Sequence, residues 1–133
     1  MTQGGGTNTA ADHDITKSGF STVTAEDVVS WNPDHIICRD APTVKQIMTS
    51  PAYRSVTAVK DKHVLGAPQG VFTWAARSAE SALQPLWAGK TFHPELFTDV
   101  NLENETRTFY EKFYSYKLTD AQIHDIRAGP PRR

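Results

Sequence analysis

Several features that commonly announce a function are missing from these 133 residues. Cysteine occurs once, at Cys38, so no internal disulfide can form. Set in the apolar run "HIICR", it reads as a small buried hydrophobe, and it leaves the redox compartment open. Neither sign of charge dominates, with 14 Lys and Arg against 15 Asp and Glu, and no block of like charge stands out. That excludes the electrostatic footprint of a nucleic-acid binder. No apolar run reaches membrane-spanning length. The start "MTQGGGTNTAADHD" has neither the basic residues nor the hydrophobic stretch of a secretory signal, so the chain as written is expected to stay in the compartment where it is made.

Catalytic and metal signatures are equally scarce. The five histidines, His13, His35, His63, His93 and His124, include no two at metal-ligand spacing on one predicted element. There is no nucleophile elbow, phosphate loop or dinucleotide fingerprint; the glycines at 4–6 lack a preceding strand and a following helix. Glu80, Glu95, Glu103 and Glu105 fall in no recognisable paired-carboxylate frame. No catalytic residue is assigned, and no enzymatic activity is expected.

What is present is a succession of short elements with local punctuation. Residues 1–18 are polar and glycine-rich and read as a flexible lead-in, with order expected near Phe20. Thr24 and Asp27 form a capping-box pattern opening a short helix with Ala25, Val28 and Val29 on its apolar face. It should stop by Trp31, because Asn32 precedes Pro33. His35 to Cys38 suits a buried strand, and a second helix begins around Pro42 with Val44, Ile47 and Met48 at helical spacing. Pro51 can open a further turn, Asp61 marks a bend, and Lys62 to Leu65 read as a second strand. Helix, strand, helix, strand predicts an α/β fold with a parallel sheet.

Beyond Gly66 comes a loop, "APQGVFTWAARS", then a helix capped by Ser78 and kinked at Pro85. Asn101 caps another, with Leu102, Thr106, Phe109, Phe113 and Tyr116 on its core stripe and Tyr110 and Tyr114 facing outward. Thr119 and Gln122 form a second capping box for a last helix, and residues 128–133 read as a frayed tail. Two strands are too few for a self-sufficient parallel sheet. A strand from the lead-in, a second chain, or a segment of a larger protein would complete it.

Candidate ligand-contacting residues lie at the carboxyl ends of the strands: Arg39 after the first, Phe72, Trp74 and Arg77 in the loop after the second. Trp74 can equally plug the end of the sheet, and Arg39 can be a solvated loop charge. Glu26, in the first turn of the first helix, can complement the helix dipole, do chemistry, or touch another protein.

Taken in order, "GGGTNTA", "VTAEDVVSWNPDHII", "SPAYRSVTAVKDKHVLGAPQG", "WAARSAESALQPLWAGKTFHPELF" and "TFYEKFYSYKLT" resemble the C-terminal lobe of the substrate-binding proteins that serve ABC importers of iron-siderophores, haem, cobalamin and, in some members, molybdate. The resemblance spans Gly4 to about Ile126, and residues 19–127 would form the lobe. It implies a partial Rossmann-like α/β lobe, truncated, with the N-terminal lobe missing and the sheet completed by that segment or by pairing of two copies through their edges. Members of that family are periplasmic or anchored at the cell surface. It also implies capture and delivery of a metal chelate, most readily an iron complex, to a membrane permease. Phe20, Phe72 and Trp74 would pack on the organic part of the ligand, and Arg39 and Arg77 would hold its anionic part. Glu26, in "TAE", corresponds to the acid with which this lobe meets arginines of the permease. No cofactor or resident metal is implied.

Overall fold

The computed structural model describes residues 2–11 and 21–128. The chain divides into two compact units, Asn8–Gly66 and the combination of Met1–Thr7 with Ala67–Arg133.

In the first unit, helix α1 (Ala25–Trp31) opens on the expected capping box: the Thr24 hydroxyl accepts from the Asp27 amide at 3.1 Å, and the Asp27 carboxylate accepts from the Thr24 amide at 2.8 Å. It stops where Asn32 turns left-handed (φ 43°) ahead of Pro33. Strand β1 (Ile36–Cys38) leads to helix α2 (Ala41–Thr49), whose N-cap Asp40 accepts from the Thr43 amide at 2.9 Å. After a 3-10 turn at Pro51–Tyr53 comes helix α3 (Thr57–Lys60), one turn that the apolar pattern does not announce. It ties down the return path, since the Ala58 amide donates to the Pro33 carbonyl and the His63 amide to the Ala58 carbonyl. Strand β2 (Val64–Gly66) then pairs with β1 in parallel, Ile36 opposite Val64 and Cys38 opposite Gly66. The result is a βαβ unit with the expected parallel sheet, two strands wide among the described residues. Its core is Cys38, Val56, Ala58 and Val64, with the predicted apolar faces of α1 (Val28, Val29) and α2 (Val44, Ile47, Met48) packed on it.

The second unit is helical. Ser78 caps the predicted segment, but Pro85 divides it into a 3-10 turn (Ala79–Leu83) and helix α4 (Gln84–Phe92), with the proline in the first turn, where its missing amide costs nothing. Helices α5 (Leu102–Tyr114) and α6 (Asp120–Ala128) follow, opened by Asn101 and by the Thr119–Gln122 capping box. Order is expected near Phe20, yet Thr2–Gly4 already forms a 3-10 turn seated on α4. A Cβ on Gly4 would lie 2.6 Å from that of Ala88, so only glycine lets the backbone approach this closely.

The core of this unit is Trp74, Leu83, Leu102, Phe109, Tyr110, Leu118, Ile123 and Ile126. The predicted stripe of α5 needs correcting at its C-terminal half. Phe113 is 62% exposed and Tyr116 48%, whereas Tyr110, expected to face outward, is 4% exposed. The buried set is Leu102, Thr106, Phe109 and Tyr110, and the last turn of α5 outruns the core before Ser115 turns left-handed. Tyr110 can be buried because its hydroxyl has a partner, Glu80.

Ile123 is wholly enclosed, so Ile123→Ala should cost about 2–5 kcal/mol in urea unfolding, while Phe113→Ala should cost about 1 kcal/mol, its contact with Phe109 being the main loss. Equal costs would show that the α5 stripe has been assigned to the wrong face.

Candidate functional site

The loop after β2 is pinned along its length. The Gln69 amide donates to the Ile126 carbonyl at 2.8 Å, the Trp74 amide to the Pro68 carbonyl at 2.9 Å, and Gln69 bridges Thr73 in antiparallel sense. Gln84 Nε2 donates to the Trp74 carbonyl at 3.0 Å. Within this frame three consecutive amides turn inward onto one carboxylate. Glu80, with no exposed surface, accepts from Gly70 at 3.2 Å, Val71 at 2.8 Å and Phe72 at 3.5 Å, and also from the Tyr110 hydroxyl at 2.6 Å. Because the amides point in, the side chains point out: Val71 is 76% exposed and Phe72 52%.

This geometry sorts the candidate residues. Phe72 and Arg77 are exposed on the loop and free to meet a solute. Trp74 is completely buried in the helical core, so its indole is withdrawn from a solute approaching the loop. In the other unit, Arg39 is exposed and lies 3.6 Å from the Asp40 carboxylate. Phe20 lies outside the described residues. Glu26 is exposed on α1, and the cap of that helix is made by Thr24 and Asp27. Glu80 and Tyr110 escaped sequence reasoning as site residues. The available signal was an acid inside the apolar stretch "AESAL" following a glycine-bearing turn.

Two further features accompany these residues. In the first unit, the rings of His35 and His63 stack at 4.5 Å with a 5° interplanar angle. Beside the loop in the second unit, an open cavity of about 550 Å³ is lined by Val71, Tyr114, Tyr116, Leu118, Gln122 and Asp125 among others, with no lysine or arginine. Among the described residues no cluster of three metal-ligating side chains occurs, and no helix is long and apolar enough to cross a membrane.

Charge next to Arg39 is set locally. Hydrogen bonds from Thr43, and secondarily Arg39, hold the Asp40 carboxyl below its ordinary range, so it stays ionised and keeps capping α2. Burial, and then the Asp40 charge, push the Cys38 thiol from 9.0 up to about 11. The folded state therefore holds this proton more tightly than the unfolded chain. Its stabilising contribution is complete below pH 9 and is lost as pH rises toward about 11. At pH 8 an aromatic disulfide reagent should modify Cys38 at least about 100-fold more slowly in the folded protein than in urea. A native-state rate like that of a free thiol would contradict the burial of β1.

With this geometry in view, comparison with known proteins places the chain. No protein-family model matches it. It is 35% identical over 126 residues to the molybdate-binding protein MolA of Haemophilus influenzae, an alignment covering 91% of this chain and 35% of MolA. A periplasmic solute binding protein from Veillonella parvula superimposes with a TM-score of 0.78 at 32% identity, over 93% of this chain and 39% of that one. The molybdate-bound structure of MolA gives 0.67 at 33% identity, over 76% and 32%. An ABC transporter solute binding protein from Sulfurospirillum deleyianum, at 22% identity, shares the fold with a TM-score of 0.72, over 82% and 34%. The chain spans about a third of the length of the relatives it matches.

Proposed function

We propose, from the homology of this chain to one lobe of the periplasmic solute-binding proteins of ABC transporters, that it forms part of the ligand-receiving face of such a protein and that its solute is an anionic metal species. The observation that carries the reading is the 35% identity to a molybdate-binding protein across 91% of the chain. The accompanying chemistry agrees with it. Arg77 is an exposed guanidinium on a pinned loop, suited to charge-assisted, bidentate contact with an oxyanion; Arg39, considered by itself, is likewise exposed, beside the Asp40 carboxylate. The remainder of the cleft would come from a lobe equivalent to the other two-thirds of the relatives. Glu26 would dock on arginines of the permease, since its carboxylate is exposed and the helix cap does not need it.

The second reading is an iron complex with an organic chelator. The exposed ring of Phe72 favours it, because molybdate has no organic part on which that ring could pack.

Titration with molybdate, sulfate and a ferric hydroxamate siderophore, followed by Trp fluorescence and calorimetry, separates these readings. Saturable binding of molybdate over sulfate is expected, weakened about 10–100-fold by Arg77→Ala, the loss of one charge-assisted contact. A response to the siderophore alone would select the chelate. Silence with every solute would remove the capture assignment. For docking, Glu26→Lys should abolish association with a permease, and unchanged association would dismiss that role.

A further inference from the structure

We infer that Glu80 is a positioning residue, which sets the 70–72 turn and through it the presentation of Phe72 to a solute. This rests on the second, chelate reading above, in which Phe72 packs on the organic part of the solute. It adds a residue that touches no ligand.

The argument begins with cost. A carboxylate without solvent exposure loses its hydration and must be repaid by donors. Among the described residues, the donors to Glu80 come from the turn and from Tyr110. One oxygen accepts from the Val71 amide and the Tyr110 hydroxyl, the other from the Gly70 and Phe72 amides. Three successive amides converging on an anion form a concave nest, and here the protein supplies the anion itself. An apolar side chain would fill the same space without the desolvation cost, but it could not dictate where three amides point. What the carboxylate specifies is therefore the turn, with Val71 and Phe72 turned to solvent.

The nest is sterically matched as well. A Cβ on Gly70 would fall within the Tyr110 hydroxyl and approach the two Glu80 oxygens to 2.9 and 3.0 Å. Gly70, Glu80 and Tyr110 thus fit as a set. Burial first, and Glu80 second, raise the Tyr110 pKa well above its ordinary value, so the hydroxyl remains a donor throughout the physiological range.

The test uses the whole chain. Glu80→Gln replaces one accepting oxygen with an amide group that must face N–H or O–H donors. Amide exchange at residues 70–72 should quicken by about 10-fold or more while the amides of α4 and α6 keep their rates. In the same variant, affinity for the ferric hydroxamate should fall. In a Phe72→Ala background, Glu80→Gln should add less than about twofold, because its effect runs through that ring. Gly70→Ala should loosen the turn likewise, and adding Tyr110→Phe should partly restore its protection by removing the clashing hydroxyl. This pair also serves if Glu80→Gln does not fold. Unchanged exchange at 70–72, or an affinity loss as large without Phe72 as with it, would overturn the inference. Absence of a ferric hydroxamate response in the unmodified chain would instead sink the chelate reading, and the exchange rates would still decide whether Glu80 sets the turn.

Discussion

A carboxylate with no exposed surface has to be answered by donors, and in the helical unit that requirement organises three pieces of chain at once. Glu80 sits in a 3-10 turn, its donors are the 70–72 amides, and its fourth partner is the Tyr110 hydroxyl from α5. The turn therefore cannot relax without stranding the charge, and Tyr110 cannot leave the core without taking a donor away. Burial of Tyr110 in turn fixes the rotation of α5, which is why Phe113 faces solvent despite its helical spacing from Phe109.

The other unit relies on a different device. Three-residue strands have little pairing of their own, and β1 and β2 hold together because the connections are hydrogen-bonded into them. Asn32 closes α1 and its side chain accepts from the Thr57 amide at 2.9 Å, Ala58 reaches back to Pro33, and His63 reaches Ala58. The residue that ends one helix thereby caps the start of another 25 positions on. Burial of Val56 and Ala58 at zero exposure beneath this lacing leaves α1 and α2 to cover the sheet with their apolar faces. The parallel α/β arrangement that results is the one shared with the solute-binding relatives.

Much of this was legible in the sequence because caps are local. Thr24 with Asp27, Ser78, Asn101, and Thr119 with Gln122 each satisfy amides within three residues, so short-range pattern suffices to find them. The parallel pairing of the strands followed from element order. What periodicity could not supply were contacts between residues distant in sequence. Glu80 meets Tyr110 across 30 positions, which inverted the exposure of Tyr110 and Phe113. Gly4 meets α4 and gives structure to the start of a lead-in whose composition argues for none. Trp74 carries the same lesson for the site. As a loop aromatic it read as a ligand candidate or a plug for the end of the sheet, and its actual place, a helical core built with residues of α5 and α6, has no local signature.

Glu26 shows how a local reading can become more discriminating once geometry is known. An acid in the first turn of a helix is ordinarily explained by the orphan amides and the dipole. Here the capping box is complete without it: Thr24 and Asp27 satisfy one another reciprocally, and Asp27 already brings negative charge to the first turn. A second carboxylate at that position adds little to a helix of seven residues. Its side chain is also exposed, so packing does not account for it either. Once capping and burial are set aside, what Glu26 does inside this chain is limited to complementing the dipole from an exposed position, worth a few tenths to about 1 kcal/mol, and its carboxylate is left open to solvent.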